Sequence, residues 1–182
     1  LGGLFKFMPI TAICTIIGAI SISAFPLFSG FVAKSLIMSA LGKEGLVFVY
    51  LMLLFASAGV LHHSGIKIPF FAFFAHESGI KTKEAPLNMI VAMIIASALC
   101  ILIGIFPSYF YSILPYQIEY QPYDFSHVVG QLQLLTFAAF AFICLWHFKI
   151  YPPELNSTVL NSDWIYRKML PGVLLPILNL IN

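Results

Sequence analysis

Charge is scarce in this sequence: Asp, Glu, Lys and Arg make up 9% of its 182 residues, against roughly 25% in an average soluble domain. A water-soluble globule of this length cannot cover its surface with so few charges. Cysteine is sparse too. Cys14, Cys100 and Cys144 lie far apart in apolar runs, with no zinc or redox spacing. No haem, flavin, iron–sulfur or nicotinamide signature occurs, so no cofactor and no metal site are expected. Any enzymatic role belongs to a larger assembly rather than to a self-contained catalytic site. The net charge of +2 comes from basic residues scattered through loops, which offers no surface for nucleic acid. The chain opens on Leu1 without a signal-peptide pattern, and the expectation is the carboxyl-terminal part of something longer.

What the sequence has is apolar length, with 60% hydrophobic residues. The bilayer is the solvent that suits it, at about 20 residues per span. Residues 7–41 form a long apolar stretch holding one charge, too long for one straight helix across a core of ~30 Å. Its middle, Ala24-Phe25-Pro26-Leu27-Phe28-Ser29-Gly30, contains a residue without a backbone donor and one without a side chain. The reading is a broken helix interrupted at Pro26, Ser29 and Gly30, or else two helices with a tight connection. Further spans are expected over 46–64, 87–114 and 131–151. The short run Ile68–Ala75 reads as interfacial or packed, and 164–182 as an interfacial or truncated helix. The expected class is all-α integral membrane, with four transmembrane spans, the first discontinuous, plus a C-terminal interfacial helix.

The loops suggest an orientation. With one crossing over 7–41, Lys6, Lys67, Lys81, Lys83, Lys149, Arg167 and Lys168 share one side, and Lys43 alone takes the other. Two crossings move Lys6 across. Either way the positive-inside rule puts the 65–86 loop in the cytoplasm, with the C-terminus on the same side. The opposite loop, with Glu119, Asp124 and the cluster Tyr109, Tyr111, Tyr116, Tyr120 and Tyr123, reads as an aromatic interface belt. The expected location is the cell inner (plasma) membrane, multi-pass. Asn156-Ser157-Thr158 matches a glycosylation sequon by chance on that topology.

Lys34 is the one basic residue inside an apolar run. A charge at the bilayer centre costs ~2.5–3.5 kcal/mol even on lenient insertion scales. A buried amine favours its neutral form, and a group so poised exchanges a proton near neutral pH. Irregular backbone at membrane depth is tolerated where it is buried in protein or lines a wet cavity. Ser21, Ser23, Ser29 and Ser35 supply polar neighbours. Two readings stand: a proton relay in a wet interior, or an interfacial lysine that snorkels to the headgroups. His62 and His63 are accessory relay candidates, since imidazole titrates near neutrality. Their competing reading is a pair at headgroup level. Adjacent helical residues diverge by ~100°, so they cannot both face one metal ion.

The run Gly2-Gly3-Leu4-Phe5-Lys6-Phe7-Met8-Pro9, followed by Phe25-Pro26-Leu27-Phe28-Ser29-Gly30-Phe31-Val32-Ala33-Lys34, resembles the antiporter-like proton-translocating subunits of respiratory complex I (NADH:quinone oxidoreductase) and of Mrp-type Na+/H+ antiporters. Leu61–Phe71, Lys83–Pro86, Gly130–Gln133 and Tyr151–Leu155 resemble the D-like branch of the Mrp large subunits. The resemblance implies inverted helix repeats, with this chain starting at the broken helix of the second and the family's upstream charged pair lying outside it. It implies a proton (or Na+/H+) translocating subunit with Lys34 as relay, acting with other subunits and moving H+ rather than Na+, because no carboxylate lies in an apolar run here. The alternative is a structural or assembly subunit of a quinone-linked redox complex, with no ion path of its own.

Overall fold

The computed structural model describes residues 2–77, 79, 81–116, 118–150 and 162–172. Those residues are helical, with no strand among them. Two compact units divide the chain, 1–148 and 149–182.

In the first unit, α1 (Pro9–Ile22) and α2 (Ser29–Lys43) flank an interruption. Next come α3 (Val47–Phe74), α4 (Leu87–Ile105), the short α5 (Pro107–Ser112) and α6 (Phe125–His147). Three of these, α3, α4 and α6, are long and apolar enough to cross a membrane, and α1 is a shorter apolar helix. Together they make a multi-pass membrane protein. Their outward faces carry large apolar side chains such as Phe48, Phe55 and Phe137, which in water would be an aggregation surface and in an apolar environment are at home.

The first two helices run end to end along α3. Phe5, in the single 3-10 turn Leu4–Lys6 ahead of α1, packs on Phe74 with ring centroids 5.2 Å apart. Farther along, Ser23 meets Gly65, and Lys34 meets Ser57. Each step forward in α1 and α2 is a step backward in α3, so the pair is antiparallel to one long helix. On the other flank, Glu84 pairs with Thr11, Leu27 lies against Gly104 and Tyr111 reaches Val32, so α4 and α5 run parallel to the broken pair.

Several element boundaries differ from those read in the sequence. The second span was expected to end at 64, with His62 and His63 closing it and Ile68–Ala75 separate. Instead α3 continues to Phe74, through π-helical turns at Leu61–Lys67 and Phe70–Phe74. Pro69 lacks a donor and crowds the preceding turn, which normally ends a helix. Wide turns on both sides relieve that crowding. The last long helix was expected from 131 but begins at Phe125, where the Asp124 carboxylate accepts from the Ser126 N–H at 3.1 Å. The stretch 87–114 is divided at Phe106, after which Pro107 opens α5.

In the second unit, Ile165–Met169 is a π-helical turn, and Arg167 pairs with Asp163 across 3.4 Å. The expected interfacial helix 164–182 falls mostly on residues 173–182, outside the described part, as does Asn156.

Candidate functional site: Lys34 beside an interrupted helix

The interruption follows from its residues. Phe25 precedes a proline and is steered away from helical angles. Pro26 brings no N–H to the ladder. Ala24 and Leu27 take left-handed backbone, with φ of 58° and 72°, a conformation costing a non-glycine residue on the order of 1–3 kcal/mol. The surroundings hold them there. Ser21 and Ser29 hydroxyls join across the gap at 2.9 Å, and the Ser23 hydroxyl turns back on the Ala19 carbonyl at 2.6 Å. Gly30 sits against the Ser21 carbonyl so closely that a Cβ would overlap it, and Gly104 of α4 does the same to the Leu27 carbonyl. Tyr123 stacks on Phe31 with centroids 5.4 Å apart and donates to the Gly104 carbonyl. Tyr111 donates to the Val32 carbonyl at 3.1 Å. Of the tyrosines read as an interface belt, Tyr109 and Tyr116 are exposed, Tyr111 is buried against α2, and Tyr123 lays a partly exposed ring on Phe31 of α2.

Lys34 lies in the second turn of α2, half-buried. Its ammonium donates to the Ser57 hydroxyl of α3 and, at 2.6 Å, to Oε1 of Gln131 on α6. The Gln131 side-chain nitrogen donates onward to the Ser23 carbonyl in the interruption, at 3.2 Å. A carbonyl that the broken ladder leaves without a helical partner is thus joined through one amide to the lysine.

Two cavities meet at Lys34. One, of about 430 Å³, has Ser35, Tyr50, His127 and Gln131 in its wall. The other, of about 340 Å³, lies toward the interruption and is walled by Ala24, Gly30, Ser57 and Val60. A third, also about 340 Å³, shares Met38, Tyr50 and His127 with the first and extends to Ser39 and Lys43 at the end of α2. The lysine's two partners therefore face different cavities, Gln131 the first and Ser57 the second. Among the described residues, no carboxylate lines any of the three.

The serines expected beside Lys34 divide their work. Ser21, Ser23 and Ser29 fasten the interruption, and Ser35 lines the larger cavity while donating to the Val32 carbonyl at 3.3 Å. His62 stands edge-on to Phe142 at 5.5 Å, on the wide turn of α3. Neither His62 nor His63 lines the cavities around Lys34. Sequence reasoning missed Ser57, Gln131 and His127 as members of the site. The available signal was the helix cap at Asp124, which brings His127 and Gln131 onto α6.

The transmembrane family of NADH:quinone oxidoreductase and Mrp antiporters matches residues 1–60, which include the interruption and Lys34. Over that stretch the chain is similar to the antiporter-like membrane subunits. The A subunit of the Na+/H+ antiporter of Alkalihalophilus pseudofirmus is 31% identical over 124 residues, covering 59% of this chain and 15% of that protein. The chain thus spans a small part of this antiporter-family relative. No solved structure matches. Within the family-matched stretch lie both helices of the interrupted pair and Ser57, while Gln131 lies beyond it.

Proposed function

We propose that this chain forms part of a proton-translocation path in a multi-subunit antiporter or NADH:quinone oxidoreductase-like complex, with Lys34 as the relaying group. The observation that carries the reading is an ammonium held between two neutral side chains, one in each of two cavities, beside a helix interruption. Neutral partners solvate the charge without fixing it, so the proton can be given up. A lysine at such a junction exchanges with one cavity or the other as its neighbours shift.

The exit follows the larger cavity past Tyr50 and His127 to the Lys43 end of α2. The orientation in which the 65–86 loop and the C-terminus are cytoplasmic makes that end the outer side. H+ is the favoured ion, because hard cations seek several oxygen ligands, carboxylates above all. His62 and His63 stand as accessory groups on α3, one wide turn away from the interruption. Partners are the lipid bilayer and the other subunits of the complex, in the inner (plasma) membrane. The blocks Leu61–Phe71 and Gly130–Gln133 support a place in the D-like branch of the Mrp family.

The test is proton transport in membrane vesicles carrying the full complex, read with a pH-sensitive dye. Lys34→Ala is expected to abolish coupled transport while the complex still assembles. Lys34→Arg is expected to be impaired as well, since a guanidinium does not release its proton. Full transport by the alanine variant would leave the chain with a purely structural or assembly role.

A further inference from the structure

Gln131 occupies a position that chemistry makes specific. Its side chain faces a group that can only donate, the Lys34 ammonium, and a group that can only accept, the Ser23 carbonyl. A flipped amide would set donor against donor and acceptor against acceptor, so a single orientation is available. The residue is buried, which raises the cost of leaving either end unpaired. Two other side chains of similar size illustrate what is at stake. Glutamate would accept from the ammonium but turn a second acceptor toward the Ser23 carbonyl, and would add a negative charge beside the lysine. Leucine would strand both groups.

We propose that Gln131 is a positioning residue that ties Lys34 to the helix interruption and sets the pH at which the lysine exchanges its proton. The inference rests on Lys34 acting as the relay. The amide supplies solvation without charge, so the ammonium is stabilised enough to form yet free to dissociate. Through its nitrogen the same amide senses the interruption: a shift of the Ser23 carbonyl moves Gln131, and with it one of the two partners that hold the lysine. Other titratable groups facing this place are few. Tyr50 from α3 and His127 from α6 share the larger cavity, and Lys43 lies in the adjoining one. Tyr111 is engaged with the Val32 carbonyl, and the linings of the two cavities that meet at Lys34 include no titratable group from α1 or α4.

The experiment is the pH profile of proton transport in vesicles bearing the complete complex, normalised to the amount assembled, for wild type, Lys34→Ala and Gln131→Glu. An opposite charge within hydrogen-bonding distance favours the charged amine by about 1–3 pH units. The Gln131→Glu profile is therefore expected to move to alkaline pH by about one unit or more, a tenfold change in proton concentration. Because the added carboxylate acts on the amine by its own charge, the uncharged Gln131→Asn variant carries the discrimination: a merely structural amide would alter the amount assembled and leave the normalised profile of that variant in place. Gln131→Asn, one methylene shorter, reaches one partner at a time and serves where the carboxylate prevents assembly. It too is expected to displace the profile. Profiles of the Gln131 variants superimposing on wild type, with Lys34→Ala inactive, would overturn this inference and leave the relay intact. An active Lys34→Ala would instead remove the relay itself.

Discussion

The same small substitution, glycine to alanine, is expected to act in opposite directions at two places in the interrupted helix pair. Gly18 lies in α1 with nothing within 4 Å of where a Cβ would stand. There alanine relieves the helix of a glycine, a gain on the order of 1 kcal/mol. Gly30 lies in the first turn of α2, where a Cβ would overlap the Ser21 carbonyl oxygen and lie 3.0 Å from its carbon. Both partners are backbone, so no side-chain rotation relieves the overlap, and the helices must part. Overpacking of this kind costs about 1–3 kcal/mol, and a backbone collision belongs at the upper end. Subtracting the propensity gain leaves a net loss of about 2 kcal/mol, or ~4–8 °C in Tm for a chain of this size. Gly18→Ala is expected to gain ~2–4 °C on the same scale. The assay is thermal unfolding of the purified protein in detergent, followed by the fluorescence of Trp146 and Trp164. Transport by Gly30→Ala should fall as well, because the parting displaces Ser21, Ser29 and the turn that carries Lys34. Equal Tm values for the two variants would refute the close approach at the interruption.

Two further predictions concern the supports of the site. The Glu84 carboxylate accepts from the Thr11 hydroxyl and from the Ile10 and Thr11 N–H groups at 3.2 Å, closing the exposed start of α1. The Thr11 hydroxyl above all, against the opposing effect of desolvation, and then these N–H groups hold Glu84 below the usual carboxylate range. A carboxylate lowered on folding contributes above its unfolded pKa and loses that contribution as pH falls through the folded one. Hydrogen exchange at Ile10 and Thr11 should therefore lose protection at acid pH in the wild type, and at every pH in Glu84→Ala; equal protection factors would contradict the cap. Tyr111→Phe removes the donor to the Val32 carbonyl but leaves that oxygen the Ser35 hydroxyl. It should cost only about 0.5 kcal/mol, the low end for a hydrogen bond, read as a small drop in Tm with the transport pH profile unmoved.

Composition declared the membrane setting, because so few charges leave only lipid or protein as surroundings, and apolar runs of about 20 residues or more declared the spans helical. The interruption was legible as well, since Pro26 and Gly30 act through backbone chemistry that needs no neighbours. Left-handed Ala24 and Leu27 were not, because neither residue type favours that conformation and only packing by Ser21, Ser29 and Gly104 imposes it. Lys34 stood out as a lone charge in an apolar run. Its partners did not, because a serine or glutamine within such a run signals little until topology says which helices face each other. The start of α6 shows how one missed cap propagates. Beginning that helix at Gln131 made the residue a helix end, while Asp124 and Ser126 make it an interior position facing the lysine. The path of α3 through Pro69 was hidden for a similar reason: the usual rule ends a helix there, and wide turns evade it.

Those wide turns of α3 also govern phase. An α-helix advances ~100° per residue, so each turn that takes in an extra residue rotates everything after it by that angle. Phe70 presents its ring to Phe142 and Trp146, with centroids 6.0 Å from each, only because Leu61–Lys67 has made that rotation. Deleting one residue from that stretch would restore ordinary winding, swing the aromatic end of the helix toward the surroundings, and leave the half near Lys34 where it is. Length polymorphism at this place would thus act as a dial on one end of the bundle.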